Sequence, residues 1–173
     1  MHLKKRENLI RLHPEWPVKD WLVSHIMLDL ALESILRKVK LDRTHDIPYL
    51  AGYSQDGKTI YIDRHMPESF VTEGRTIKTD RYLILHETVE KTLIDQLGMP
   101  YQLAHQIALR SEQAAVRADK ILWSEYDRFM QLYIKEIGDE RLQRVPANLD
   151  TKPYRDEHDR ILLARMKQEM HGK

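Results

Sequence analysis

The sequence contains no cysteine. A chain without thiols has neither a disulfide framework nor a Cys-ligated zinc or iron-sulfur site. Any metal ion must therefore be held by histidine and carboxylate side chains. A lack of disulfides is also typical of proteins of the reducing cytosol, so we expect a cytoplasmic protein.

Long apolar runs and an excess of one charge are absent as well. No stretch approaches the roughly 18 to 20 apolar residues of a membrane span, and residues 1–6 lack the apolar segment of a signal peptide. Lys and Arg number 28 against 27 Asp and Glu, a net charge of +1. Such a balance disfavours general nucleic-acid binding, which depends on counterion release from phosphates. We therefore expect no specific nucleic-acid or membrane partner, and the sequence does not indicate the oligomeric state.

The 173 residues, of which 42% are hydrophobic, are enough for one domain with its own core. Apolar periodicity predicts an α+β fold, mainly helical, with helices packed on a small antiparallel sheet. Pro146 and Pro153 mark a loose connection, so we predict a domain over residues 1–145 and a C-terminal arm or helix over residues 146–173. Helices are predicted over residues 18–40, 80–97, 101–118, 121–137 and 156–170.

A β-hairpin is predicted between the first two helices. Its strands, residues 47–53 and 59–63, flank Asp56 and Gly57, and Asp-Gly supplies the positive φ of a tight turn. Pro67 ends the second strand, and a loop containing Gly74 follows. Gly98 is the predicted end of the helix over residues 80–97.

Two neighbouring helices carry polar residues on faces that should be apolar. His86 and Glu90 stand four residues apart in the middle of the apolar arc of one helix, and Glu87 lies at its edge. His105 and Glu112 lie in the alanine-rich apolar arc of the next helix. Burying these groups without partners costs several kcal/mol, and a shared metal ion would satisfy one His and one Glu from each helix, namely His86, Glu90, His105 and Glu112. A hydrogen-bonded network without an ion, which fixes helix register, is the alternative interpretation.

His86-Glu87-Thr88-Val89-Glu90 reads H-E-x-x-E and resembles the H-E-x-x-H helix of zincin metallopeptidases, with Glu in place of the second His. The resemblance spans residues 58–112 and implies a zincin-like fold. It implies His86 and Glu90 as metal ligands and Glu87 as the general base for the attacking water. It also implies that residues 59–63 form an edge strand beside the helix, where an extended substrate would pair.

The third ligand is not fixed by the resemblance. We favour His105, because two His and one Glu suit catalytic zinc. Glu112 is then a fourth ligand or an acceptor for His105. Zinc is the expected divalent metal, although the added carboxylate favours Mn or Fe as well.

The leading hypothesis is a metal-dependent hydrolase of zincin type, a peptidase or a descendant of one, acting on a peptide or protein substrate. The alternative is a non-catalytic helical assembly or accessory protein, for example of a phage, with a structural metal or buried polar network. A di-metal carboxylate bundle ranks last, because it requires Glu-x-x-His on paired helices. Glu87 discriminates between the first two, since only a hydrolase needs a base beside the bound water.

Overall fold

The structure is a computed structural model that describes residues 29–139 and 142–171. Residues 29–36 form helix α1. The strands are β1 (Lys40–Asp42), β2 (Ala51–Tyr53), β3 (Thr59–Ile62), β4 (Ser69–Thr72) and β5 (Arg75–Lys78). The other helices are α2 (Asp80–Leu97), α3 (Tyr101–Ala118), α4 (Trp123–Asp139), α5 (Lys152–Asp156) and α6 (Arg160–His171). The mainly helical α+β class is thus confirmed. Within the described ranges, no helix has the length and apolar character to cross a membrane.

The predicted hairpin is present as β2 and β3, which pair antiparallel with Gly52 opposite Tyr61. Its turn uses Gly57 at φ 67°, as the Asp-Gly pair predicts. Strand β1 adds to the other side of β3 in parallel, giving the order β1-β3-β2. The expectation that residues 59–63 form an edge strand is therefore wrong, because both edges of β3 are paired.

The first strand of the hairpin is shorter than predicted. Residues 47–50 precede β2 and lie outside the strand, and Tyr49 and Leu50 have φ angles of 61° and 77°. Left-handed backbone is incompatible with an extended strand, so the strand begins only at Ala51. Apolar composition alone gave no sign of this kink.

Residues 69–78, predicted as a loop around Gly74, form the hairpin β4–β5. Its two-residue turn is Glu73 and Gly74, with φ angles of 48° and 72°. Two positive φ angles are what a type I′ turn requires, and Asn or Asp normally fills the first position. Because Glu73 occupies that position, the sequence does not show the usual residue pattern of a type I′ turn.

The helix boundaries follow the predictions in the middle of the chain and depart from them at both ends. Gly98, at φ 63°, ends α2 as predicted. The predicted helix over residues 18–40 lies outside the described residues up to residue 28, and its helical part ends at residue 36, before β1. The predicted helix over residues 156–170 begins later, at Arg160, as α6, and the short helix α5 before it was not predicted.

Helices α2 and α3 pack against each other as a helical hairpin, joined by Gly98, Met99 and Pro100. Ala104 and Ala108, both 0% exposed, lie on the inner face of α3. Alanine allows the two backbones to approach closely, so polar side chains on the facing surfaces can reach one another.

The apolar side chains of the described residues form a main cluster beneath α2, α3 and α4, a second cluster on the other face of the sheet, and a small third one at the α2–α3 connection. The second cluster is built around Ile47, Tyr61, Leu142, Val145, Leu149, Tyr154 and Met166. Leu149 and Met166 are both 0% exposed. The predicted boundary at residue 145 therefore falls inside a packed cluster that residues from both sides of it share.

Asp46 connects the segment after β1 to the chain that follows α4. Its Oδ2 accepts the backbone N–H groups of Gln143 at 2.8 Å and Arg144 at 2.7 Å, and its Oδ1 accepts the Nε–H of Arg64 at 2.5 Å. Burial acts to raise the pKa of Asp46, but these three donors outweigh it and lower the pKa below its usual value.

Asp46→Asn should destabilise the fold by about 2 kcal/mol, because an amide cannot accept all three bonds to the charged group. A lowered pKa means that the carboxylate stabilises the fold above its unfolded pKa of about 4 and loses that effect as pH falls through the folded pKa. The free energy of unfolding of the variant should therefore fall less with decreasing pH than that of the native chain, as measured by acid unfolding followed by circular dichroism. Asp95→Asn is the control, because Asp95 is 50% exposed in a surface ion pair with Lys91. Equal losses in both variants would contradict the role of Asp46.

Candidate metal centre

Helices α2 and α3 bring four of the predicted polar residues to one place between them. His86, Glu90 and Glu112 are buried, at 7%, 7% and 4% exposure. The side chain of His105 is 38% exposed and reaches the group from the more open side. Because α2 and α3 run antiparallel, His105 lies beside Glu90 and Glu112 lies beside His86.

Three of these residues point one atom each at a common position. His105 Nδ1 lies 2.8 Å from Glu90 Oε2 and 3.2 Å from His86 Nε2. His86 Nε2 lies 3.5 Å from Glu90 Oε2. The three atoms therefore form a small triangle, the only group of three or more ligand-type side chains with this spacing in the described ranges.

The triangle has the dimensions that a transition-metal ion requires. Bonds of about 2.0 to 2.1 Å in tetrahedral geometry separate neighbouring ligand atoms by about 3.3 Å. The observed separations of 2.8, 3.2 and 3.5 Å scatter about that value. Two imidazoles and one carboxylate are also a donor set that zinc accepts with a fourth position left open. These residues can therefore hold a divalent ion without rearrangement of the helices.

Glu112 lies on the other side of His86 from this triangle. Its Oε2 is 2.8 Å from His86 Nδ1, and its Oε1 accepts the hydroxyl of Tyr126 at 2.5 Å. A carboxylate that accepts Nδ1–H leaves the Nε2 lone pair of the ring free for a metal. We predicted Glu112 as a fourth ligand or as an acceptor for His105, and its partner here is His86.

The charges of the site are strongly coupled. Burial alone would lower the pKa of His86, but its hydrogen bonds to Glu112 and Glu90 outweigh burial and raise the pKa to about 10. Burial acts to raise the pKa of Glu90, and the hydrogen bonds from His105 and His86 lower it. The two carboxylates thus require a positive charge between them, which either a proton or a divalent cation supplies.

Glu87 faces a cavity of about 220 Å³ beside the triangle. Within the described ranges no side chain donates a hydrogen bond to its carboxylate. Burial and then the charge of Glu90 raise the pKa of Glu87 to about 8. A carboxyl group with such a pKa can take up a proton near neutral pH, as a general base must. The cavity is lined by Tyr53 of β2 and by no residue of β3.

Several cavity residues were absent from the sequence-based prediction. Tyr126 was not predicted as a site residue, yet its hydroxyl donates a hydrogen bond to Glu112. Lys91 lines the cavity and pairs with Asp150 at 2.5 Å, and Tyr101 lies 5.5 Å from the His105 ring. The contacts of Tyr126 with Glu112 and of Lys91 with Asp150 join different segments of the chain, which spacing along one helix does not reveal, whereas Tyr101 and His105 stand four residues apart on α3.

Comparison of the chain with protein-family models, with curated proteins and with solved structures finds no match. The function proposed below therefore depends on the geometry of this site.

Zinc added to the purified protein should raise its melting temperature, because an ion bound only by the native state stabilises that state. At a free concentration of 100 Kd the gain is about 2.7 kcal/mol, and a chelator should reverse it. His86→Ala and His105→Ala should each abolish the response, as measured by calorimetry and by zinc content. Equal melting temperatures with and without zinc in the native chain would contradict a metal centre.

Glu112→Gln distinguishes a ligand from a residue that orients a ligand. We expect the variant to keep zinc with an affinity about 10 to 100 times weaker, since the ring of His86 exchanges a charged acceptor for a neutral amide oxygen and keeps its place in the triangle. His158→Asn, at an exposed histidine outside the site, should leave the affinity unchanged. Complete loss of zinc from a folded Glu112→Gln protein would instead make Glu112 a ligand.

Proposed function

We propose that this protein is a metal-dependent hydrolase of zincin type, a peptidase or a descendant of one. The observation that supports the proposal most strongly is the triangle of His86 Nε2, His105 Nδ1 and Glu90 Oε2 between two helices. The H-E-x-x-E helix contributes two of these atoms and the following helix contributes the third. A zincin-like fold and zinc as the metal belong to the same proposal.

The three residues of the triangle would hold the ion, and local contacts position two of them, His86 and Glu90. Helical spacing of four puts His86 and Glu90 on one face of α2. The ring of His86 is fixed by Glu112, which is itself held by Tyr126. When bound, the ion supplies Lewis acidity, which polarises a carbonyl group and makes water more acidic.

Glu87 performs the proton transfer in this proposal. It lies on the same helix as the triangle, one residue after His86, and it lines the adjoining cavity. Its carboxylate has no hydrogen-bonding obligation to another described side chain, so it is free to accept a proton from water and return it to a leaving group. A purely structural metal site has no use for such a group beside it.

A buried network without catalysis is the competing function, and one observation favours it. The hydrogen bonds among Glu112, His86, His105 and Glu90 already form a continuous chain through the two helices. Such a chain can fix the register of α2 and α3. It would not explain the position of Glu87 in the cavity.

Glu87→Gln separates these functions. The variant should keep its fold and its zinc and lose a factor of about 10² to 10⁴ in turnover, because the amide keeps the size of the side chain but cannot act as a base. Turnover is measured on a library of peptides and small amides with the zinc-loaded protein. Glu73→Gln makes the same chemical change in the exposed β4–β5 turn and should leave turnover unchanged. A Glu87→Gln protein as active as the native chain would refute the assignment of the base, and a native chain without turnover would favour the network.

A further inference from the structure

Residues 148–150 lie along the free side of β2, next to the candidate metal centre. Gln55 donates its backbone N–H to the Asn148 carbonyl at 2.7 Å, and Asp150 donates its own to the Tyr53 carbonyl at 2.7 Å. Ser54 and Leu149 form an antiparallel bridge between these bonds. The chain after α4 thus continues the sheet by a short stretch beyond β2.

The register of β2 shows which of its backbone groups remain for a substrate. The Leu50 carbonyl accepts the Asp63 N–H, and the Ser54 N–H donates to the Thr59 carbonyl, so residues 50, 52 and 54 turn their backbone groups toward β3. Ala51 and Tyr53 turn theirs to the outer side. Since Asp150 already occupies the Tyr53 carbonyl, an added strand could pair fully with Ala51 alone.

The segment that covers this edge is packed into the core. Leu149 is 0% exposed and Tyr154 is 2% exposed, and both belong to the second apolar cluster. A Cβ atom at Gly52 would lie 3.1 Å from Leu149, so the segment is in close contact with β2. The pair Lys91–Asp150, at 2.5 Å, also anchors it to α2. Displacement by a substrate would expose these side chains to water and is therefore unfavourable.

The cavity beside the metal centre is small and has walls on several sides. Its volume of about 220 Å³ is below the 300 to 1,000 Å³ of pockets that enclose drug-sized ligands. Asp150, Pro153 and Tyr154 border it next to β2, and α4 contributes Trp123 and Met130. A cavity of this volume is too small to enclose several residues of an extended polypeptide.

We propose that the site accepts only the terminal one or two residues of a peptide, or a small amide of that size, and that residues 148–154 set this limit. The inference rests on the proposed hydrolase function and defines its substrate class. An internal stretch of polypeptide would have to pass the edge of β2, where Asp150 already occupies the Tyr53 carbonyl.

Hydroxamates test the limit by binding, without the need for turnover. The zinc-loaded full chain is titrated by calorimetry with acetohydroxamate and with two hydroxamates that are each extended by two residues on one side only. A further hydroxamate is extended by two residues on both sides. We expect the compound extended on both sides to bind at least about 10-fold more weakly than the best of the others, since it leaves strand groups unpaired or displaces buried segments.

Two results would overturn the inference, and they differ in what else they refute. If the compound extended on both sides binds as tightly as the shorter ones, the limit does not exist, although the metal centre stands. If no hydroxamate binds while zinc is retained, the proposed hydrolase site fails and the inference fails with it.

A pair of variants assigns the limit to the Asp150 backbone. Asp150→Ala removes the carboxylate that pairs with Lys91 and keeps the N–H that reaches Tyr53, whereas Asp150→Pro removes both. The discrimination against the long hydroxamate should persist in the alanine variant and shrink several-fold in the proline variant. Equal discrimination in both folded variants would overturn the role of this N–H. If the proline variant does not fold, as judged by circular dichroism, the length series on the native chain still decides the substrate limit.

Discussion

The contact between His86 and Glu112 is the interaction on which the centre of this protein depends. It joins the middle of α2 to the middle of α3 at 2.8 Å, in a place where both side chains are almost completely removed from water. An imidazole and a carboxylate there are tolerable only as partners, because either one alone would carry a large desolvation cost. Their hydrogen bond fixes the relative position of the two helices and the orientation of the ring.

The remaining features of the site follow from that orientation. With Nδ1 engaged by Glu112, the Nε2 atom of His86 faces Glu90 and His105, which completes the triangle of donor atoms. The neighbouring Glu87 lines the cavity beside the triangle. One buried contact therefore organises the triangle of possible ligand atoms.

The sheet presents only the edge of β2 to the candidate metal centre. Parallel pairing with β1 makes β3 an internal strand, so β2 alone lies at the edge facing the site. The chain returning after α4 covers part of that edge with Leu149 and Asp150. The same segment also contributes Leu149 and Tyr154 to the second apolar cluster, so it both covers the edge and packs in the core.

The sequence by itself determined the elements whose signals are local. Helical periodicity and Gly98 defined α2, Asp-Gly defined the β2–β3 turn, and spacing of four placed His86 and Glu90 on one face. Only the tertiary structure decided that β3 is internal and that Glu112 holds His86, because these contacts join residues far apart in the chain. The β4–β5 turn was missed for a local reason, since Glu73 is an unusual residue for positive φ. Local patterns fix backbone conformation and side-chain direction, whereas partners across the core depend on how complete elements pack.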